Sequence, residues 1–97
     1  METNEKPEIW FNHWLEPPDS SEWTEAELQA KLTEAISDRI RNRFPEIMQL
    51  AYRIDVREKD FKAALEGSNE MEISERIAKA MISRVKEKIA FRKSYQS

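Results

Sequence analysis

Cysteine is absent from the 97-residue chain, and glycine and histidine occur once each, as Gly67 and His13. The lack of cysteine excludes disulfide bonds, thiolate catalysis and cysteine-ligated zinc or iron–sulfur centres. A lone histidine excludes a histidine pair and a pair of Glu-x-x-His motifs. Barrels, sandwiches and doubly wound sheets need several turn glycines, so a single glycine favours helices. We therefore expect an all-α protein with no metal and no cofactor.

Long apolar runs are also missing, since no stretch approaches the ~20 residues that a membrane span requires. The first residues, Met1-Glu2-Thr3-Asn4-Glu5, are acidic and do not form the apolar core of a signal peptide. We expect a cytoplasmic protein with no membrane partner. Serine has no nucleophile-elbow context and no glycine-rich loop is available to hold a phosphate, so we expect no catalytic residues and no enzyme activity.

The charge is distributed unevenly along the chain, although the net charge is only −3. Residues 1–38 hold 10 acids and 2 bases, whereas residues 39–97 hold 9 acids and 14 bases. This asymmetry is typical of an acidic arm that folds over a basic body, or of a basic face that meets an acidic partner. It is equally compatible with two solvated faces of opposite sign, because surface ion pairs contribute little individually.

Residues 1–23 form a leader that holds all three tryptophans, Trp10, Trp14 and Trp23. Pro17-Pro18 is incompatible with the interior of a helix, so we expect an extended segment. The leader has two interpretations. It is a strap whose aromatic side chains fill a groove between the helices, or a linear motif in which Trp10, Phe11 and Trp14 bind another protein. Trp23 precedes the helix cap at Thr24 and is suited to a hydrophobic staple.

Residues 24–97 are predicted to form a helical domain of four helices, which makes the chain a compact four-helix bundle with an N-terminal extended aromatic strap. Thr24-Glu25-Ala26-Glu27 is a capping box for a first helix over about 25–43. A second helix follows over about 45–54 and should be mostly buried. The third runs over about 56–66, capped by Asp55 and ended by Gly67. The fourth begins at Asn69 or Ser74 and runs to about 93. The predicted core comprises Leu32, Ile36, Ile40, Ile47, Ala51, Phe61, Ile77, Met81 and Val85.

The apolar face of the fourth helix is broad and includes Met81, Ile82, Val85 and Ile89. With Ile73 and Ala78 it spans close to half of the helix circumference, which is more than one neighbouring helix covers. We predict that this face contributes to a homodimer, unless the leader covers the excess.

The segment 47–66 resembles a helix-turn-helix. Leu50-Ala51, Ile54-Asp55-Val56 and Phe61 occupy the positions that set the corner of that motif. Asp55 stands where the motif usually has glycine, and the helix that would read DNA carries Glu58 and Asp60 beside its cations. A plain helical corner gives the same pattern. A DNA-binding regulator is therefore the alternative function, with nucleic acid unfavoured as a partner but not excluded.

Residues 36–93 are also similar to a group of small uncharacterised bacterial proteins, on the strength of the Tyr-Arg-Ile-Asp-Val core at Tyr52–Val56. The resemblance implies no activity, cofactor or partner. Within this core, Tyr52, Arg53 and Asp55 are candidate interaction residues. Arg53 and Asp55 form either a ligand clamp or a cap and a nearby ion pair that hold the helix corner. The sequence as a whole predicts a non-catalytic, self-associating interaction or accessory protein, whose partner is a second copy or another protein.

Overall fold

The computed structural model describes residues 7–11, 14–15 and 23–96. The expectations for His13 and for the Pro17-Pro18 break lie outside these residues. The described part folds into four α-helices and contains no β-strand: α1 (Glu25–Arg39), α2 (Phe44–Ile54), α3 (Glu58–Ala64) and α4 (Glu70–Gln96). A short 3₁₀ helix at Pro7–Phe11 precedes them, so this part of the leader is not extended as predicted. The all-α, four-helix architecture is confirmed.

The start of α1 is the predicted capping box. The Glu27 N–H donates to the Thr24 hydroxyl at 3.1 Å, and the Thr24 N–H donates to the Glu27 carboxylate at 3.0 Å. These two bonds satisfy two of the N–H groups that a helix start leaves unpaired. The bond from the Thr24 backbone N–H also lowers the pKa of the Glu27 carboxyl, because it stabilises the charged form.

The break between α1 and α2 lies earlier than predicted. α1 ends at Arg39, three turn residues follow, and α2 begins at Phe44 with Pro45 in its first turn. Proline suits this position because the first N–H groups of a helix have no intrahelical acceptor. The prediction of α1 to about residue 43 was therefore wrong by one turn.

The start of α4 is settled in favour of Asn69. Its side-chain oxygen accepts from the Glu72 N–H at 2.9 Å, and the Glu72 carboxylate accepts from the Ser68 N–H at 3.3 Å. The bond from Ser68 is the main cause that lowers the pKa of Glu72. Ser74 lies inside the helix, fully buried.

The core lies where the ridges of α1 and α4 meet, and α2, α3 and the 3₁₀ helix pack against α4 around it. Of the nine predicted core residues, eight are buried in the structure. Ile40 is the exception: it sits at the end of α1 and is only partly buried. Phe11 and Leu15 of the leader and Ile54 of α2 also belong to the core.

Gly67 lies two residues beyond Leu65, the C-cap of α3, so the prediction that it ends the helix was wrong. Its backbone is not left-handed. An added Cβ would instead lie 2.9 Å from the backbone nitrogen of Ile73, closer than carbon and nitrogen atoms normally approach. Gly67 is therefore required by the close approach of the α3–α4 connection to the first turn of α4.

Candidate interaction surface on α2 and α3

A stripe of apolar side chains runs along the outer side of α2. Phe44, Met48 and Tyr52 are spaced four residues apart, so they lie on one slanting row of the helix. Phe44 is partly buried, but Met48 is 37% exposed and Tyr52 is 81% exposed. The prediction that α2 is mostly buried was therefore wrong for this stripe. Sequence reasoning missed Met48, although the spacing from Phe44 to Tyr52 was visible.

The stripe forms one wall of a groove of about 610 Å³ between α2 and α3, which we call the α2–α3 groove. Phe44 and Phe61 meet edge to face in its floor, with ring centroids 6.2 Å apart. Leu65, which is 39% exposed, closes the end formed by α3. The groove is lined by Phe44, Met48, Ala51, Tyr52, Asp55, Val56, Arg57, Glu58, Phe61, Lys62 and Leu65. Its depth and apolar floor are typical of a surface that binds another apolar group.

The corner between the two helices is built around Asp55. Its backbone is left-handed, with φ 65° and ψ 47°, and its N–H donates to the carbonyl of Tyr52 at 3.1 Å. The Val56 N–H donates to the Ala51 carbonyl at 3.0 Å. Helices often end in this way, usually on glycine, because a side chain costs about 1–2 kcal/mol in the left-handed region. Asp55 thus adopts the backbone that glycine supplies in a helix-turn-helix.

Asp55 is therefore not the cap of α3. The residue before α3 is Arg57, which makes no side-chain capping bond. A residue that closes α2 in the left-handed conformation cannot at the same time open the next helix, and the two residues after it are used for the turn. α3 is correspondingly shorter than predicted, from Glu58 to Ala64.

Arg84 of α4 holds this corner. Its Nε donates to the Asp55 carbonyl oxygen at 2.9 Å, and its Nη2 donates to the Asp55 carboxylate at 3.1 Å. The ion pair at the helix corner therefore joins Asp55 to Arg84 and not to Arg53, whereas the ligand clamp of Arg53 and Asp55 stays a prediction. Arg53 is exposed on the outside of α2. The hydrogen bonds of Arg84, first to Asp55 and then to Glu87, raise its pKa further above the ordinary arginine value.

The charges beside the groove are paired within the chain. On α3, Lys62 lies 3.1 Å from the carboxylate of Glu58. Arg57 donates to Glu87 of α4 at 3.2 Å, and Arg84 donates to the same carboxylate at 2.9 Å. These hydrogen bonds, first from Arg57 and then from Arg84, lower the pKa of the Glu87 carboxyl. The groove is consequently an apolar surface whose surrounding charges are balanced.

The interaction residues predicted in the leader are partly core residues. Phe11 is completely buried and Leu15 nearly so. Trp10 and Trp14 are partly buried against the same core. The guanidinium of Arg39 lies 4.3 Å from the ring centroid of Trp14, and Arg92 and Lys88 lie 5.1 Å and 5.8 Å from that of Trp10. These are cation–π distances, so basic residues of the helical domain contact both indoles.

The interaction residues predicted on α4 lie in the core of the chain. Met81, Ile82, Val85 and Ile89 are all buried in the single chain, because α1, α2, α3 and the 3₁₀ helix surround α4. The width of the apolar face therefore reflects several neighbours within the chain. The reason for predicting a homodimer through this face no longer holds.

Among the described residues, no group of three or more histidine, aspartate and glutamate side chains is arranged to hold a metal ion. A second depression of about 470 Å³ lies between α1 and the start of α4 and is bordered by Glu34, Asp38 and Glu75. No helix in the same described part is both long and apolar enough to cross a bilayer.

Comparison of the chain with protein-family models, with curated proteins and with solved structures gave no match. The similarity of Tyr52–Val56 and its surroundings to small bacterial proteins stays a prediction. The exposed apolar side chains of α2 and α3 are therefore the evidence from which a function can be proposed.

Proposed function

We propose that this chain is a non-catalytic helical interaction protein whose partner is a protein bound at the α2–α3 groove. The observation that carries the proposal is the exposed apolar stripe: Tyr52 keeps 81% of its surface in water, beside Met48 and Leu65. A single exposed apolar residue is ordinary, but three around one apolar-floored groove mark an interaction site. Tyrosine and methionine are also enriched at the centres of protein interfaces.

The proposal is tested by a Tyr52→Glu variant. The full chain is immobilised, proteins retained from an extract of the source cells are identified by mass spectrometry, and each is then purified and titrated directly. A charged group placed in the apolar stripe should reduce affinity for a true partner by at least about tenfold, as expected when a central aromatic contact is lost.

Met71→Glu is the matched control, because Met71 is 53% exposed but lies on α4 outside the groove. It should leave binding unchanged. Partners that are retained equally by the wild type and by both variants would contradict the assignment of the groove.

The alternative function is DNA binding through α2 and α3. One observation favours it: Asp55 adopts the left-handed backbone that the helix-turn-helix requires at its corner. The charges disfavour it, because Lys62 and Arg57 are already paired with Glu58 and Glu87. Phosphate contacts would have to replace these pairs, and the net attraction for DNA is small.

Fluorescence anisotropy with duplex DNA separates the two functions. At about 150 mM salt we expect no binding at micromolar protein. Micromolar binding that is lost in Lys59→Ala but kept in Lys79→Ala would establish the alternative, because Lys59 is exposed on α3 and Lys79 is exposed on α4 away from the corner.

We also propose that the leader is a structural strap rather than a recognition peptide. The burial of Phe11 and Leu15 and the cation–π contacts of Trp10 and Trp14 support this. Truncation of a buried phenylalanine typically costs about 3–5 kcal/mol, so Phe11→Ala should lower the melting temperature strongly. Variants that keep only Trp10 or only Trp14 should resist iodide quenching. Free quenching together with an unchanged melting temperature would identify a recognition peptide instead.

A further inference from the structure

The outer face of α2 has a charge pattern that is complementary to itself. At ~100° per residue, Pro45, Gln49 and Tyr52 point outward within ~60° of one another. Met48 lies on one side of this face, toward α3, and Glu46 and Arg53 lie on the other side. Pro45, Met48, Gln49, Tyr52 and Arg53 are all exposed.

The two charged side chains of this face, Glu46 and Arg53, are able to form further ion pairs. Arg53 makes no ion pair with any other described residue. The Glu46 side chain pairs with Arg39 at 3.2 Å but remains 43% exposed, so it can accept a second cation. The two charges are seven residues apart, which is two helical turns, or ~10 Å along the axis.

A second copy of the same helix satisfies this pattern when it lies antiparallel. In a two-fold arrangement each side of the helix meets the same side of its partner. With the axis between Gln49 and Leu50, Glu46 of one copy faces Arg53 of the other, and both pairs form at once. On the opposite side Met48 lies within one residue, ~1.5 Å along the axis, of Tyr52 of the second copy, so the apolar contact fits the same register as the charged pairs.

We infer that the occupant of this surface is a second copy of the chain, bound through an antiparallel α2–α2 contact with two Glu46–Arg53 pairs. The inference rests on the proposed function, since Met48 and Tyr52 at the edge of the α2–α3 groove are also part of this contact. α2 has 11 residues and is therefore only ~16 Å long. Such a contact covers less than the ~800 Å² per partner of a standard interface, so the dimer should be weak, with a Kd in the micromolar range or above.

The test uses charge exchange in the full-length chain, followed by sedimentation equilibrium from about 10 to 500 µM, a range chosen around the micromolar Kd expected for a small interface. Arg53→Glu places two acids against each other in both pairs, and Glu46→Arg does the same with two bases. Each variant should raise the dissociation constant of the dimer by about tenfold or more, because two attractive charge pairs are replaced by two repulsive ones. Arg53→Glu is the cleaner variant, because it breaks no ion pair with another of the described residues. The double variant should dimerise as the wild type does.

An equimolar mixture of the two single variants gives the decisive result. The heterodimer contains two restored pairs, so native mass spectrometry should find it well in excess of the roughly twofold ratio to each homodimer that random pairing of two species gives. Absence of this excess, or single variants that associate as the wild type does, would overturn the inference.

Two further outcomes distinguish failure of the inference from failure of the proposed function. If the wild-type chain stays monomeric over the whole concentration range and a protein partner that requires Tyr52 is found, the inference is overturned and the proposed function stands. A dimer that responds neither to Tyr52→Glu nor to charge exchange places self-association elsewhere and overturns the inference. If, in addition, every partner protein is retained equally by the wild type and by Tyr52→Glu, the proposed function is overturned as well.

Discussion

The α1–α4 pair and the α2–α3 pair carry apolar residues at the same four-residue spacing, but they bury them to different extents. On α1 and α4, Leu32, Ile36, Ile77 and Met81 are completely buried. On α2, the row that contains Met48 and Tyr52 remains exposed. The difference arises because α4 has neighbours on several sides, whereas α2, among the described elements, packs on α1 and α4 with its inner face and meets the short α3 through Phe44 and Phe61. The same pattern therefore stabilises the core in one region and leaves apolar side chains in contact with water in the other.

The largest effect should come from truncation in the fully buried region. Met81→Ala removes a side chain that has no exposed surface, so it should lower the free energy of unfolding by about 2–5 kcal/mol. Chemical denaturation with urea measures this value. A loss below about 0.5 kcal/mol would mean that Met81 is at the surface, and the contrast between the buried α1–α4 region and the exposed side of α2 would be wrong.

The next effect concerns the connection between the two regions. Gly67→Ala forces a Cβ to within 2.9 Å of the Ile73 backbone nitrogen, and relief requires movement of α3 against α4. We expect a loss of about 1–3 kcal/mol, which is typical of overpacking. Ala63→Gly, at an exposed position on α3, is the control for glycine content and should cost no more than about 1 kcal/mol. Equal or higher stability of Gly67→Ala would show that the close approach is relaxed in solution.

A smaller effect separates the two roles of Asp55, its left-handed backbone and its ion pair with Arg84. Asp55→Ala keeps the strained backbone and loses the pair, whereas Asp55→Gly loses the pair but relieves the strain. The glycine variant should be more stable than the alanine variant by about 1 kcal/mol. Thermal melts of the two proteins, side by side, test this. Equal stabilities would indicate that the corner rearranges when the carboxylate is removed.

The carboxylates give a pH-dependent effect. Glu27, Glu72 and Glu87 have folded-state pKa values below 4.5, so the folded protein favours their charged forms. Their contribution to stability is present above the unfolded pKa of about 4.5 and is lost as the pH falls through the lower folded values. The melting temperature should therefore drop as the pH falls below about 4.5. Glu87→Gln should flatten part of this dependence, and an unchanged slope would contradict the Arg57–Glu87–Arg84 contacts.

The smallest effect is expected on the exposed side of α2. Tyr52→Ser removes an aromatic ring that contacts little of the folded chain, so the stability of the monomer should change by no more than about 0.5 kcal/mol. The free energy of unfolding is measured at low protein concentration. The small change expected for Tyr52→Ser, set against the large loss expected for Met81→Ala, measures how differently α2 and α4 bury their apolar residues. A loss of several kcal/mol would show that Tyr52 is buried in solution.

The sequence by itself determined the features that depend on local contacts. The capping box at Thr24 and Glu27 is made within four residues, and the ridges of α1 and α4 follow from the helical period, so both could be predicted. The absence of cysteine and the single glycine and histidine limited the fold class and the kinds of catalytic and metal sites that the chain can form. They depend on residue type alone and not on the arrangement of the chain.

Only the tertiary structure decided which apolar residues remain exposed and which charges meet. Sequence periodicity marks Met48 and Tyr52 as apolar helix residues in the same way as Met81, but the exposure of each depends on how many elements pack beside its helix. The partner of Asp55 lies 29 residues away on α4, and no local rule selects Arg84 over the neighbouring Arg53. Burial and long-range pairing are properties of the packed chain, because they depend on residues that are distant in sequence and close only after folding.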